Sequence, residues 1–135
     1  MPAKDSLQIV CADGEGQKVE FKAALSGIAR EMAAFANASG GSIFLGVSDA
    51  GKIVGVVDSN RLRSQIQDIA NQCDPRIPIR MASHRQVVEI IVPEGVDKPY
   101  RCSEGFSLRI GPRRDFFLRN MPSAWKSSRR SRRPA

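Results

Sequence analysis

A chain of 135 residues, 41% apolar and 26% charged, is long enough for one domain with a core of its own and too apolar to remain unfolded. It has no apolar run of the ~20 residues that a membrane-spanning helix needs, and its first ten residues lack the basic start and apolar stretch of a secretory leader, so the expected setting is soluble and cytoplasmic. The net charge of +7 invites a polyanionic partner, yet Lys126, Arg129, Arg130, Arg132 and Arg133 near the end supply five of those charges, and that acid-free segment reads as a disordered basic tail.

In chain order, residues 1–14 read as an N-terminal extension with a short strand at 6–10 and a glycine-rich turn after it. Residues 17–22, QKVEFK, alternate, with Val19 and Phe21 on one face and Lys18, Glu20 and Lys22 on the other, the pattern of a half-buried strand. Leu25, Ile28, Met32 and Phe35 recur at helical spacing, and Asn37, Gly40 and Gly41 end that helix. The apolar runs 42–47 and 52–57 predict two buried strands joined by a turn over 48–51. A second helix fits 59–73, with Leu62, Ile66, Ile69 and Cys73 on one side, Asp58 or Ser59 as its cap and Pro75 as its stop. Alternation of Ile77, Ile79 and Met81 predicts another strand, then a turn at 83–85 that holds His84, and VVEIIV at 87–92 predicts a further strand. Residues 98–110 read as a hairpin, and 111–125 as a loop with one helical turn. The sum is an α+β domain over 15–125 with a mixed, mostly antiparallel sheet and two main helices.

The stretch GVSDAGKI at 46–53 places two glycines and Lys52 almost as a phosphate-binding loop does. Such a loop ends in Ser or Thr and opens onto a helix whose N-terminus faces the phosphates. Ile53 follows instead, and the segment joins two strands, so ATP is not expected. Asp49 in that turn is read as bonding its own backbone, as turn aspartates do. Cys11, Cys73 and Cys102 form no CxxC pair, so zinc is not expected either.

Five segments in order carry a family resemblance: EGQKVEFK (15–22), AFANASGG (34–41), IFLGVSDAGKIVG (43–55), DKPY (97–100) and FSLRIG (106–111). Together they resemble the Schlafen-type divergent Alba domain, a family also known under a divergent AAA ATPase name. The resemblance implies nucleic-acid binding. Bacterial members accompany helicase-like or winged-helix regions and are described as transcriptional regulators. In animal Schlafens the related core is an endoribonuclease acting on structured RNA such as tRNA through three acidic residues, whose positions match Glu15, Glu20 and Asp49. If those three converge, they need a cation, and oxygen-only ligands suit magnesium or manganese; the alternative is surface carboxylates paired with Lys18, Lys22 or Lys52. The animal enzymes use two lobes and a zinc site, so a single lobe of this kind suggests a homodimer.

The densest basic stretch of the domain comprises Lys98, Arg101, Arg109, Arg113, Arg114 and Arg119, with Lys22 beside Glu20. Phosphate contact is its natural use, and a solvated sheet edge is the alternative. Tyr100, Trp125, Phe116 and Phe117 are the aromatics available to stack on bases. Three functions stay open at this point: an RNA- or DNA-binding domain, a metal-dependent endoribonuclease, and a domain for homo-oligomerisation or partner binding.

Overall fold

The short apolar and alternating runs become strands because each finds a neighbour that buries one of its faces. The computed structural model of the chain describes residues 18–102, 105–110 and 114–118. Strand β1 (Val19–Lys22) leads through helix α1 (Ile28–Asn37) to β2 (Gly41–Leu45), which lies parallel to β1. Helix α2 (Asn60–Asn71) precedes β3 (Arg80–His84), which turns back into β4 (Val87–Val92). Strand β4 pairs antiparallel with both β2 and β3, so the four-stranded sheet runs β1-β2-β4-β3. Strands β5 (Arg101–Cys102), β6 (Gly105–Ile110) and β7 (Arg114–Leu118) form a second, antiparallel sheet. The architecture is α+β with a mixed, mostly antiparallel four-stranded sheet and two helices.

Helix α1 lies between the two sheets, touching β2 and β4 on one side and β5, β6 and β7 on the other. That position explains its composition. Every residue from Glu31 to Asn37 is buried, and the alanines at 33, 34 and 36 let neighbouring backbones come close. Beyond the helix end, the Gly40 N–H donates back to the Phe35 carbonyl at 2.9 Å. Gly40 has φ +81, and a Cβ there would sit 2.8 Å from the Val92 carbonyl oxygen, so both backbone angle and space demand glycine. In α2 the cap is Ser59, whose Oγ accepts from Leu62 N at 3.1 Å. Asp58 is drawn away to Arg63 and Ser83, whose hydrogen bonds hold its carboxyl down to about 2.

The main core joins α1 and α2 to Ile43, Leu45, Val88, Ile90 and Val92 on one face of the sheet, together with Ile77, Cys73, Tyr100 and Cys102. The other face carries a smaller cluster of Phe21, Phe44, Val47 and Val87, in which Phe21 and Phe44 meet edge to face with centroids 6.5 Å apart. Cys73 and Cys102 are both buried free thiols. Burial, with the nearby Cys102 adding to it, pushes the Cys73 thiol up to about 11. The thiolate is the reactive form, so at pH 8 Cys73 in the folded protein should resist iodoacetamide and become labelled on addition of urea. Labelling at equal rates in both states, read by mass spectrometry, would contradict this environment.

Four local expectations change. Residues 52–57 are not a buried strand: Ile53 makes one bridge to Val47, and Val54 and Val57 are exposed. Gly55 has φ +85, and the N–H groups of Val54 and Gly55 both donate to the Gly46 carbonyl, which turns the chain off the sheet. The strand expected from Ile77, Ile79 and Met81 begins only at Arg80 and continues through His84, so the turn shifts to Arg85 and Gln86. Part of the expected loop 111–125 is strand β7, held by pairing with β6. Tyr100 is buried at 3% exposure and is not available to stack on a base. The strand expected at 6–10, like Trp125, lies outside the described residues.

Candidate nucleic-acid interface

Strand β1 sets the first two candidate residues. Glu20 is in register with Ile43, and Lys22 with Leu45. Ile43 and Leu45 belong to the core beneath the helices, so Glu20 and Lys22 stand on the helix-covered face. Val19 and Phe21 take the other face, with Phe44. The alternation divides the strand as expected, but the face of Glu20 and Lys22 is not the solvent side: both are half-buried. The Lys22 ammonium lies 3.6 Å from Glu31 Oε2, at the first turn of α1.

Asp49 lies beyond the end of β2, exposed in the turn that leads to Ile53. The bonding expected of it falls to Ser48 instead. Ser48 Oγ and Ser48 O accept from Lys52 N and Gly51 N, and Ser48 N donates to Lys52 O. Among the described residues the Asp49 carboxylate has no hydrogen-bond partner. Glu15 lies outside the described residues. Within those described, no three His, Cys, Asp or Glu side chains gather closely enough to hold a metal ion. The described members of the carboxylate set thus do not by themselves make a magnesium or manganese site.

The basic candidates divide similarly. Lys98 Nζ lies 2.7 Å from Glu94 Oε2, and Arg101 Nε lies 3.4 Å from Asp74 Oδ2 with both side chains largely exposed. Arg109 occupies β6 in register with Asp115, and Arg114 occupies β7 opposite Ile110. Arg113 and Arg119 lie outside the described residues. A second set of cations carries no signal in the sequence. Arg76, Arg80 and Arg85 are exposed along and beside β3, and none of them enters an ion pair among the described residues. They stand singly along ten residues of chain, and the strand order makes the border they share an edge of the sheet.

Beside that border a polar chain crosses the outer sheet face. Ser42 Oγ donates to Glu89 Oε2 at 2.7 Å, and His84 Nε2 lies 2.8 Å from Glu89 Oε1. His84, expected in a turn, instead ends β3 and has a fixed partner. The order is Ser–Glu–His. A nucleophilic relay needs the imidazole between hydroxyl and carboxylate, so this chain orients groups and does not activate the serine.

Two segments of the motif series meet in the core. Asn37 Nδ2 donates to the Tyr100 carbonyl at 2.8 Å, and Tyr100 N donates to Asn37 Oδ1 at 2.5 Å. The AFAN and DKPY segments are thus one structural clamp. A profile of the family described as Schlafen, AlbA_2 matches residues 15–116. The chain belongs to the Schlafen AlbA_2 family. The matched span of this Schlafen AlbA_2 chain runs from Glu15 through most of β7 and takes in both sheets. The crystal structure of the DIP2311 protein from Corynebacterium diphtheriae is similar in fold, with a TM-score of 0.57 and 23% identity over 76% of this chain. The similarity covers 22% of that protein, so the Schlafen AlbA_2 chain spans only a small part of its length. No curated protein matches the sequence.

Proposed function

We propose that the chain is a nucleic-acid-binding domain that holds its ligand chiefly through phosphates. Family membership supports the reading. The observation that carries it is the distribution of charge. Asp58, Asp74, Glu89 and Glu94 each already face a basic side chain, whereas Lys18, Lys52, Arg61, Arg76, Arg80 and Arg85 enter no ion pair among the described residues. Cations left without internal partners are the groups that displace counterions from a phosphate backbone. With Tyr100 buried, little reading of bases is expected from that residue.

One observation favours a second reading, cleavage of structured RNA. Asp49 presents a carboxylate at an exposed turn that has no partner among the described residues, and it matches an acidic position of the ribonucleases in this family. With Glu15 and Glu20 it would hold a magnesium or manganese ion, whose chemistry is to polarise a phosphate and acidify a bound water. One gel assay tests both readings: labelled tRNA and duplex DNA at low and high salt, with manganese or chelator, using the full chain and a variant with Arg129, Arg130, Arg132 and Arg133 changed to alanine. Binding by both proteins that weakens about 10-fold or more from 50 to 200 mM salt, as several phosphate contacts require, is the expected result. Absence of binding at low salt would overturn the first reading. Chelator-sensitive cleavage that disappears in Asp49→Ala would establish the second, and intact RNA in manganese would remove it.

A further inference from the structure

We infer that the β3 border of the four-stranded sheet is the surface along which single-stranded nucleic acid lies, with one base seated in the groove between the start of β3 and the end of β4. The inference rests on the proposed nucleic-acid binding and gives it a place. Strand β3 is the last in the order β1-β2-β4-β3, so its outer backbone groups have no strand partner among the described residues. Arg80 opens the strand and Arg85 follows its last residue. At about 3.3 Å per residue the two stand roughly 16 Å apart along the border, with exposed Arg76 upstream of Arg80.

The carboxylates nearest this border are engaged elsewhere. Glu89 accepts from Ser42 and faces His84. Asp58 is held by Arg63 and Ser83. Neither carboxylate forms an ion pair with these arginines. Arg85 has φ +56, and it is the only non-glycine residue at positive φ among those described. The left-handed region favours Gly or Asn, so a charged side chain is kept at this hairpin tip against the local backbone preference. An outlier of this kind points to a use for the side chain.

Pro78, Ile79, Arg80, Ile91 and Pro93 line an open cavity of about 420 Å³. Arg80 and Ile91 are directly opposite in the β3–β4 register, so the guanidinium rises beside an apolar floor. A flat base on the proline and isoleucine surfaces, with its phosphate toward Arg80, satisfies both halves of the lining. An extended strand has unstacked bases to offer, whereas a duplex does not. The sheet edge and apolar groove would also suit an acidic peptide, but the row of arginines matches a regularly charged backbone.

The test uses fluorescence anisotropy of a labelled 12-residue oligouridylate with the full chain over 50–200 mM salt. The border variant carries Arg76→Ala, Arg80→Ala and Arg85→Gly, the last of which suits the left-handed backbone. A control removes the same charge from the tail, by Arg129→Ala, Arg130→Ala and Arg132→Ala. The border variant is expected to bind at least about 10-fold more weakly and to show a salt slope shallower by about 2, at ~0.7 for each single-strand phosphate no longer neutralised. The tail control should keep a slope closer to that of the parent. If parent and border variant bind alike, the border is not the surface, while the nucleic-acid reading stands. If the parent itself fails to bind this oligonucleotide, duplex DNA or tRNA, that reading falls with it. Preferential binding of an acidic peptide such as oligoglutamate also overturns the inference. Should the border variant misfold, protection of Arg80 and Arg85 from phenylglyoxal by oligouridylate in the unmodified protein replaces it, and equal modification with and without the oligonucleotide counts against the inference.

Discussion

Replacing Asn37 by alanine should cost about 2–5 kcal/mol of folding stability. The Asn37 amide donates to the Tyr100 carbonyl and accepts from its N–H, and both residues are buried, at 5% and 3% exposure. Alanine would leave one buried donor and one buried acceptor without these partners, at about 1–3 kcal/mol each. Against the 5–15 kcal/mol of an ordinary domain, that is a large share. A loss of 3 kcal/mol should lower the midpoint of thermal melting by roughly 10 °C in a chain of this size. Asn37→Asp should do no better. It keeps an acceptor for Tyr100 N–H but sets a second oxygen against the carbonyl and buries a charge. Tyr100→Phe removes only the hydroxyl that accepts from Asp97 N at 3.0 Å, and about 1 kcal/mol is expected. Urea melts of the three variants check the ranking. An Asn37→Ala loss below that of Tyr100→Phe would show that the clamp is not what ties α1 to the chain leading into β5. The backbone around the clamp is equally demanding, since a Cβ on Gly95 would lie 2.0 Å from the Tyr100 ring.

The parts of this fold that could be read in the sequence are those fixed by local pattern. The helical repeat of Ile28, Met32 and Phe35, the apolar run VVEIIV and the start of α2 at Asp58 or Ser59 all specify their element within one or two turns of chain. What escaped depends on partners distant in sequence. Strand β7 contains Phe116, Phe117 and Leu118 amid arginines and prolines, and pairing with β6 is what makes it a strand. KIVGVV has the β-branched content of a strand, yet Gly55 at positive φ and two donors on the Gly46 carbonyl take it off the sheet. Alternation around Glu20 correctly divides β1 into two faces. It is silent on which of them the helices cover, because both faces of this sheet bury aromatic or aliphatic side chains. The motif residues illustrate the same limit at the site. Asn37 and Tyr100 stand out as a recurring series, but their role is a hydrogen-bonded clamp. The arginines along and beside β3 form no motif, and only the strand order shows that the border they occupy is a sheet edge.

Lys22 gives the second large effect, and it separates structure from function. Its ammonium stands 3.6 Å from Glu31, whose side chain is only 5% exposed, while Lys22 itself is 22% exposed. Lys22→Met would leave the Glu31 carboxylate buried without this countercharge. Loss of one member of a fully buried pair costs about 3–5 kcal/mol; with Lys22 partly in water and the pair not in tight contact, about 1–3 kcal/mol is expected here. The double variant Lys22→Met/Glu31→Gln removes the charge together with its partner and should recover part of that loss, a coupling that a double-mutant cycle measures directly. Binding supplies the other readout. If Lys22 serves the fold, the salt slope for oligouridylate should match that of the parent once the comparison is made on folded protein. If it contacts a phosphate, the slope should fall by about 0.7, and the double variant should be no better at binding than the single one. A stability loss with partial rescue and an unchanged slope would assign Lys22 to the joint between β1 and α1. A normal melt with a reduced slope would return it to the phosphate surface.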